Sequence, residues 1–167
     1  MRCRVLLSFC VACLFSSAAA ADWIAQRQID EFDQKHRFIA ASSASVPALY
    51  FVCEAETGRM KLLYKTSEKA SASLRSALPS PARAYFIVDN QPVRSYPGKL
   101  AHIEKKLVFE SYDDGAVALL KVIGAAERRV LVAVELFGQK YFQAELPVAG
   151  SAKHIKLVTD ECAKYRK

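Results

Sequence analysis

Five cysteines fall into two groups along this chain: Cys3, Cys10 and Cys13 near its start, and Cys53 and Cys162 far apart in the remainder. What the second group can do depends on the fate of the first. Arg2 and Arg4 precede an uncharged run from Val5 to Phe15, and small residues follow from Ser16 to Ala21. That is the layout of a cleavable export signal. Its apolar stretch is shorter than the roughly 20 residues a helix needs to cross a bilayer. Residues 1–21 are therefore read as a signal peptide and 22–167 as a single β-rich domain, with cleavage after Ala20 or Ala21 fitting equally well. Acylation at Cys13 is the alternative, but Cys10 stands where a lipoprotein signal normally has leucine. No later segment is apolar and long enough to span a membrane, so no stable membrane insertion is expected after cleavage.

Removal of the signal takes three cysteines with it and leaves Cys53 and Cys162 in an oxidising compartment, periplasmic or extracellular, where two thiols without other partners pair. A link across 109 positions removes unfolded-chain entropy worth about 4 to 5 kcal/mol. No Cys-x-x-Cys spacing suggests redox chemistry, so the bond is read as structural. The formal charge falls from +7 to +5 when Arg2 and Arg4 leave, and the remaining basic residues are dispersed: Lys61 and Lys65, Lys105 and Lys106, Arg128 and Arg129, and the tail from Lys164 to Lys167. Such a surface suits anionic surroundings. It lacks the dense basic and aromatic pattern of a nucleic-acid binder, and nucleic acid is not expected as a partner.

The stretch from Asp22 to Ala44, which contains Trp23, has no clear period. After Pro47, Leu49, Phe51, Cys53 and Ala55 alternate with Tyr50, Val52, Glu54 and Glu56, which predicts a strand with Cys53 facing inward. Glu56, Thr57 and Gly58 supply a turn, and Met60, Leu62 and Tyr64 continue the alternation as a hairpin. The segment from Thr66 to Ala82 reads as a surface loop holding one helical turn. Strands are expected over Ala84 to Val88, ending at the turn residues Asp89 to Pro92, and over Ile103 to Tyr112. Asp113 or Asp114 can cap a helix whose Ala116, Leu119, Leu120 and Ile123 share a face, with Gly124 ending it. A last hairpin follows, Val130 to Phe137 and Tyr141 to Leu146, with Gly138 and Gln139 as its central turn residues. Pro147 ends it, and Ser151 can cap a final helix placing Ile155, Val158, Cys162 and Tyr165 on one side. The expected fold is mainly β with α: an antiparallel β-sandwich-like domain with a helix before the last hairpin, a C-terminal helix and one disulfide. There is no internal repeat.

Chemistry is hard to place on this chain. His36, His102 and His154 have no metal-ligand spacing, and no metal or cofactor is expected. Asp113 and Asp114 are better explained by a helix N-terminus, Asp160 and Glu161 by an exposed helix face, and Asp30, Glu31 and Asp33 form a looser acidic group. Ser151 lacks a Gly-x-Ser-x-Gly context. No catalytic residue is assigned, and an enzyme is not expected. Tyr50, Tyr85 and Tyr96 are candidates for a binding surface, although strand aromatics commonly stack on their neighbours.

Trp23 after the signal, the strand Leu49-Tyr50-Phe51-Val52-Cys53, the strand end at Val88 and Asp89 before Pro92, and an aromatic closing strand followed by a helix with Cys162 together resemble the periplasmic accessory proteins associated with type VI secretion, and related small proteobacterial envelope proteins. In that group the first cysteine follows a strand and the second terminates a helical C-terminus. The closing strand departs from the pattern, reading Phe142-Gln143-Ala144-Glu145-Leu146 where the group has a Phe, an Asp and a small residue. The resemblance implies an exported, non-catalytic binding or assembly protein, linked to a secretion system, whose partner is an envelope protein or a cell-wall component. The alternative is a secreted or periplasmic inhibitor of a lysozyme-like hydrolase, since small disulfide-closed β proteins with a Tyr and Cys strand resemble those as well.

Overall fold

The computed structural model describes residues 23–29, 35–43, 45–112 and 114–165. The signal segment, its three cysteines, Asp113 and the group Asp30, Glu31 and Asp33 lie outside the described residues. The chain forms β1 (Ile24–Ile29), β2 (His36–Ala41), β3 (Ala48–Glu54), β4 (Arg59–Lys69), α1 (Ala72–Ser76), β5 (Ser80–Val88), β6 (Arg94–Ile103), β7 (Lys106–Tyr112), α2 (Asp114–Gly124), β8 (Val130–Leu136), β9 (Gln139–Leu146) and α3 (Ser151–Ala163). All pairings are antiparallel, and the strands join in one nine-stranded sheet of order β1-β2-β3-β4-β7-β6-β5-β8-β9. The expected mainly β fold, with a helix before the last hairpin and a helix at the C-terminus, is what the chain adopts. The strands belong to one continuous sheet.

The alternation in the sequence sets the core. Leu49, Phe51 and Cys53 of β3, Met60, Leu62 and Tyr64 of β4, Phe86 of β5, Phe109 of β7 and Val130, Val132 and Val134 of β8 face the interior, where Ala116, Leu119 and Ile123 of α2 and Ile155, Val158 and Cys162 of α3 meet them. Burying such side chains stabilises the fold by about 1.5 to 3 kcal/mol each before the entropy of ordering is subtracted. Cys53 and Cys162 are bonded, with Cα atoms 5.8 Å apart. The bond clamps α3 to β3, and the Ser151 hydroxyl donates to Ile123 O at 3.2 Å, joining the start of α3 to the end of α2.

Two irregularities bend the sheet. In β4 the pairing with β7 shifts between Lys65 and Lys69, where Thr66 Oγ1 accepts from the Glu68 N–H. In β9 the pairing with β8 shifts between Val132 and Val134, and Phe142 has φ +54°. An extra residue in one strand increases local twist and breaks the ladder. Here the two bulges let β9 return towards β4, and the Tyr64 hydroxyl donates to Phe142 O at 2.8 Å. Burial pushes the Tyr64 phenol well above its ordinary value, so it stays protonated and able to donate.

Several local expectations hold. Ser71 caps α1 by accepting from the Leu74 N–H, which supplies the single helical turn expected in that segment. Gly58 closes the β3–β4 turn at φ +61°. Others are corrected. β4 runs four residues further than the expected loop boundary allowed, to Lys69. The segment before Ile103 is a full strand, β6, although it contains Pro97 and Gly98. Gly98 is required there, because a Cβ would lie 2.2 Å from Glu110 O and 2.6 Å from the Phe109 ring. Ser151 is not the cap of α3: Gly150, at φ +78°, occupies that position, and Ser151 is the buried first residue of the helix. The central residues of the last hairpin are Phe137 and Gly138, both at positive φ, one position earlier than expected.

Replacing both cysteines, Cys53→Ala with Cys162→Ala, is expected to lower the unfolding free energy by about 4 to 5 kcal/mol, read from denaturant unfolding with the slope fitted for each protein, because the unfolded chain without the crosslink exposes more surface. Tyr64→Phe, which leaves the Phe142 carbonyl without its donor, is expected to cost about 1 to 2 kcal/mol in the same measurement.

Candidate functional site

The histidines lie apart, on β2 (His36), β6 (His102) and α3 (His154). The Arg27 Nε–H donates to His36 Nδ1 at 3.2 Å. His102 is exposed, and His154 Nδ1 is buried without a hydrogen-bond partner among the described residues. Asp160 pairs with Lys156 at 2.7 Å and Glu161 with Lys164 at 2.6 Å, as an exposed helix face would have it. Among the described residues no group of three His, Cys, Asp or Glu side chains is placed to hold a metal ion. Of the tyrosines considered for a binding surface, Tyr96 is buried, edge-on to Phe86 with centroids 5.8 Å apart. Tyr50 and Tyr85 are half-buried on the outward face.

Tyr85 leads to the strongest candidate. On the outward face of β5 and β8 it lies opposite Ala133, and Ile87 lies opposite Leu131. With Val93, which is 54% exposed, these apolar side chains floor a groove of about 400 Å³ whose far wall is Lys140, Gln143 and Glu145 of β9. A polar frame fixes one end. The Tyr85 hydroxyl donates to Glu135 Oε2 at 2.7 Å, and Lys140 Nζ lies 4.5 Å from the centre of the Tyr85 ring. The hydrogen bond to Glu135 is the main reason the Tyr85 phenol is raised from its ordinary value, with burial and the carboxylate charge adding to it. Beyond this frame the hairpin tip carries Phe137, 77% exposed and at φ +53°. Two-residue turns with both central residues at positive φ normally place Asn, Asp or Gly first. A phenylalanine there is both strained and bare.

A second outward feature is an ion-paired patch on β4, β6 and β7. Glu110 is only 6% exposed although it points away from the core, because Lys61 (3.5 Å) and Lys99 (3.4 Å) close over it and the Tyr112 hydroxyl donates to it at 3.3 Å. Arg59 and Lys61 lie over the Tyr112 ring. The buried carboxylate is thus compensated, and the patch reads as a structural clamp across the bend of the sheet.

Asp89, expected only as a strand end, holds another junction. At φ +53° its carboxylate accepts from the backbone N–H groups of Glu127 (3.0 Å), Arg128 (2.8 Å) and Arg129 (3.0 Å), and its own N–H donates to Arg129 O at 2.9 Å. These donors, the Glu127 N–H first, hold its carboxyl below the usual value of 3.8.

Sequence reasoning missed the groove because its apolar residues belong to strands far apart in the chain. Leu131 and Ala133 were hidden in the apolar run of β8, whose alternate members Val130, Val132, Val134 and Leu136 are buried. The signal present was that a strand at the β8 position stays apolar on both faces. Compared with known proteins, the chain matches no family model, no curated protein and no solved structure.

Asp89→Ala is expected to lower the thermal midpoint near neutral pH. Because the folded carboxyl titrates below the unfolded one, its stabilisation is complete above 3.8 and is lost as pH falls from there through the lower folded value. The gap in midpoint between parent and variant therefore narrows on acidification, and a gap that widens instead would contradict the assignment.

Proposed function

We propose that this protein is a non-catalytic accessory protein of the cell envelope, periplasmic or secreted, which recognises another envelope protein through the outward face of β5, β8 and β9. The observation that carries this reading is the groove itself, an apolar floor of Ile87, Val93, Leu131 and Ala133 with a fixed polar frame of Tyr85, Glu135 and Lys140. Concave apolar surfaces with a few placed polar groups are recognition sites. The closed disulfide fits an oxidising compartment. Among the described residues no helix is long and apolar enough to cross a membrane. The resemblance to accessory proteins of type VI secretion supplies the class of partner, a membrane component of a secretion machine.

One observation favours a second reading, an inhibitor of a lysozyme-like hydrolase. An inhibitor inserts a loop into a cleft, and the strained, exposed Phe137 at a hairpin tip is a side chain suited to that use.

A crosslinked pull-down of the exported, oxidised protein from an envelope fraction separates the two. Enrichment of secretion-machine membrane proteins, lost with Val93→Glu and kept with Phe137→Ala, is the expected result. Recovery of a hydrolase that depends on Phe137 instead establishes the inhibitor, and recovery of nothing reproducible removes the accessory reading.

A further inference from the structure

A sheet has two edges, and this one treats them differently. At the β9 edge the ladder is bulged, Phe142 is at positive φ, and its carbonyl is taken by Tyr64. Bulges of this kind spoil an edge as a template for another strand. The β1 edge has none of these devices. Its six residues pair with β2 without a shift, from Ile24 opposite Ala41 to Ile29 opposite His36, and it contains no proline or glycine. Nor is it a loose arm. Trp23 anchors its start: the backbone N–H donates to Ala149 O at 3.1 Å, the indole N–H to Pro147 O at 2.8 Å, and the ring stacks on Phe51. Among the described residues no strand pairs with the outer edge of β1.

Beside that edge runs a groove of about 320 Å³ between β1 and α3. Ala25, Arg27 and Phe38 line it from the sheet and Leu157, Val158 and Glu161 from the helix, so that it is apolar with a charge on each side, and Leu157 is 48% exposed. An unbulged edge, with no strand on its outer side among the described residues and a helix over one face, defines its occupant by chemistry. The edge takes extended backbone, and the groove takes the apolar side chains of alternate residues.

We propose that the β1 edge is a strand-addition site, which binds an extended segment of a partner protein with apolar residues at every second position. A second copy of this chain is the poorer occupant. Each copy carries a formal charge of +7 over the full sequence and +5 without residues 1–21, and two β1 strands paired about Arg27 set two guanidinium groups opposite each other. The site is separate from the β5–β8–β9 groove and does not rest on the partner proposed for that groove.

The test is selection from a phage-displayed library of random linear peptides against the full exported, oxidised chain. Selected peptides are expected to share apolar residues in alternation, to slow amide hydrogen exchange across β1 and not across β9, and to lose affinity when their alternate backbone amides are methylated. Leu157→Glu, at an exposed position, should weaken them about tenfold or more, while Val93→Glu in the other groove should leave them unchanged. Peptides that ignore Leu157→Glu, protection at β9, or failure to select any peptide would each overturn the proposal. So would outward-facing β1 amides, those not bonded to β2, that are already protected in the free protein: as a dimer in sedimentation, that means a second copy takes the edge, and as a monomer, that the chain covers the edge itself.

Discussion

The bond between Cys53 and Cys162 fixes the position of α3, and much of the interior depends on where α3 lies. A thirteen-residue helix that follows the last strand has only a short connection to hold it, so it can dock only through its own buried stripe of Ile155, Val158 and Cys162. The covalent tie to β3 places that stripe over the first half of the sheet. Ser151 at the other end of the helix then reaches Ile123, which sets α3 beside α2, and α2 in turn covers β4 and β7. One linkage thereby orders two helices over a single hydrophobic interior.

Curving a nine-stranded sheet over those helices takes twist that regular pairing does not provide, and the chain obtains it by disrupting two strands. The bulges in β4 and β9 approach each other, and where ladder hydrogen bonds are missing a side chain replaces them: the Tyr64 hydroxyl satisfies the turned-in carbonyl of Phe142. A buried carbonyl without a partner costs about 1 to 3 kcal/mol, so the phenol is what makes the bulge tolerable inside the protein. The outward consequence is the groove. Its floor comes from β5 and β8, its far wall from the bulged part of β9, and the polar frame of Tyr85, Glu135 and Lys140 stands where β9 is still in regular register with β8.

What could be read from the residues follows from which forces are local. The start of β4 and β8 bury one face each, and β3 sets Leu49, Phe51 and Cys53 against a more polar alternate set, so their alternation was plain, and elimination among the cysteines gave the disulfide that joins Cys53 to Cys162. β1 was illegible for the opposite reason: apart from Ala25 its residues are exposed on both faces, and a strand exposed on both faces has no period. β6 was obscured by Pro97 and Gly98, residues that argue against a strand until tertiary structure shows that Gly98 must admit the backbone of β7. Asp89 looked like turn punctuation, and only folding brings the N–H groups of Glu127, Arg128 and Arg129 to its carboxylate. The candidate grooves were beyond local reasoning altogether, because Ile87 with Leu131, or Phe38 with Leu157, become neighbours through register and packing.

An unbulged edge strand is a liability that has to be held in check by something. β1 has neither proline nor irregularity to guard it, and its two isoleucines at the ends are exposed. What remains is charge: Arg27 near the middle of the strand, partly occupied with His36 and the Phe38 ring, and the excess of basic residues over the whole chain. Charge of this kind opposes pairing between identical copies, because repulsion is guaranteed when both partners carry the same sign. It places no such barrier before a partner of different composition. A bulge or a proline would block both. Guarding the β9 edge by geometry and the β1 edge by charge therefore discriminates between the two edges in a specific way, closing one to every strand and the other mainly to its own kind.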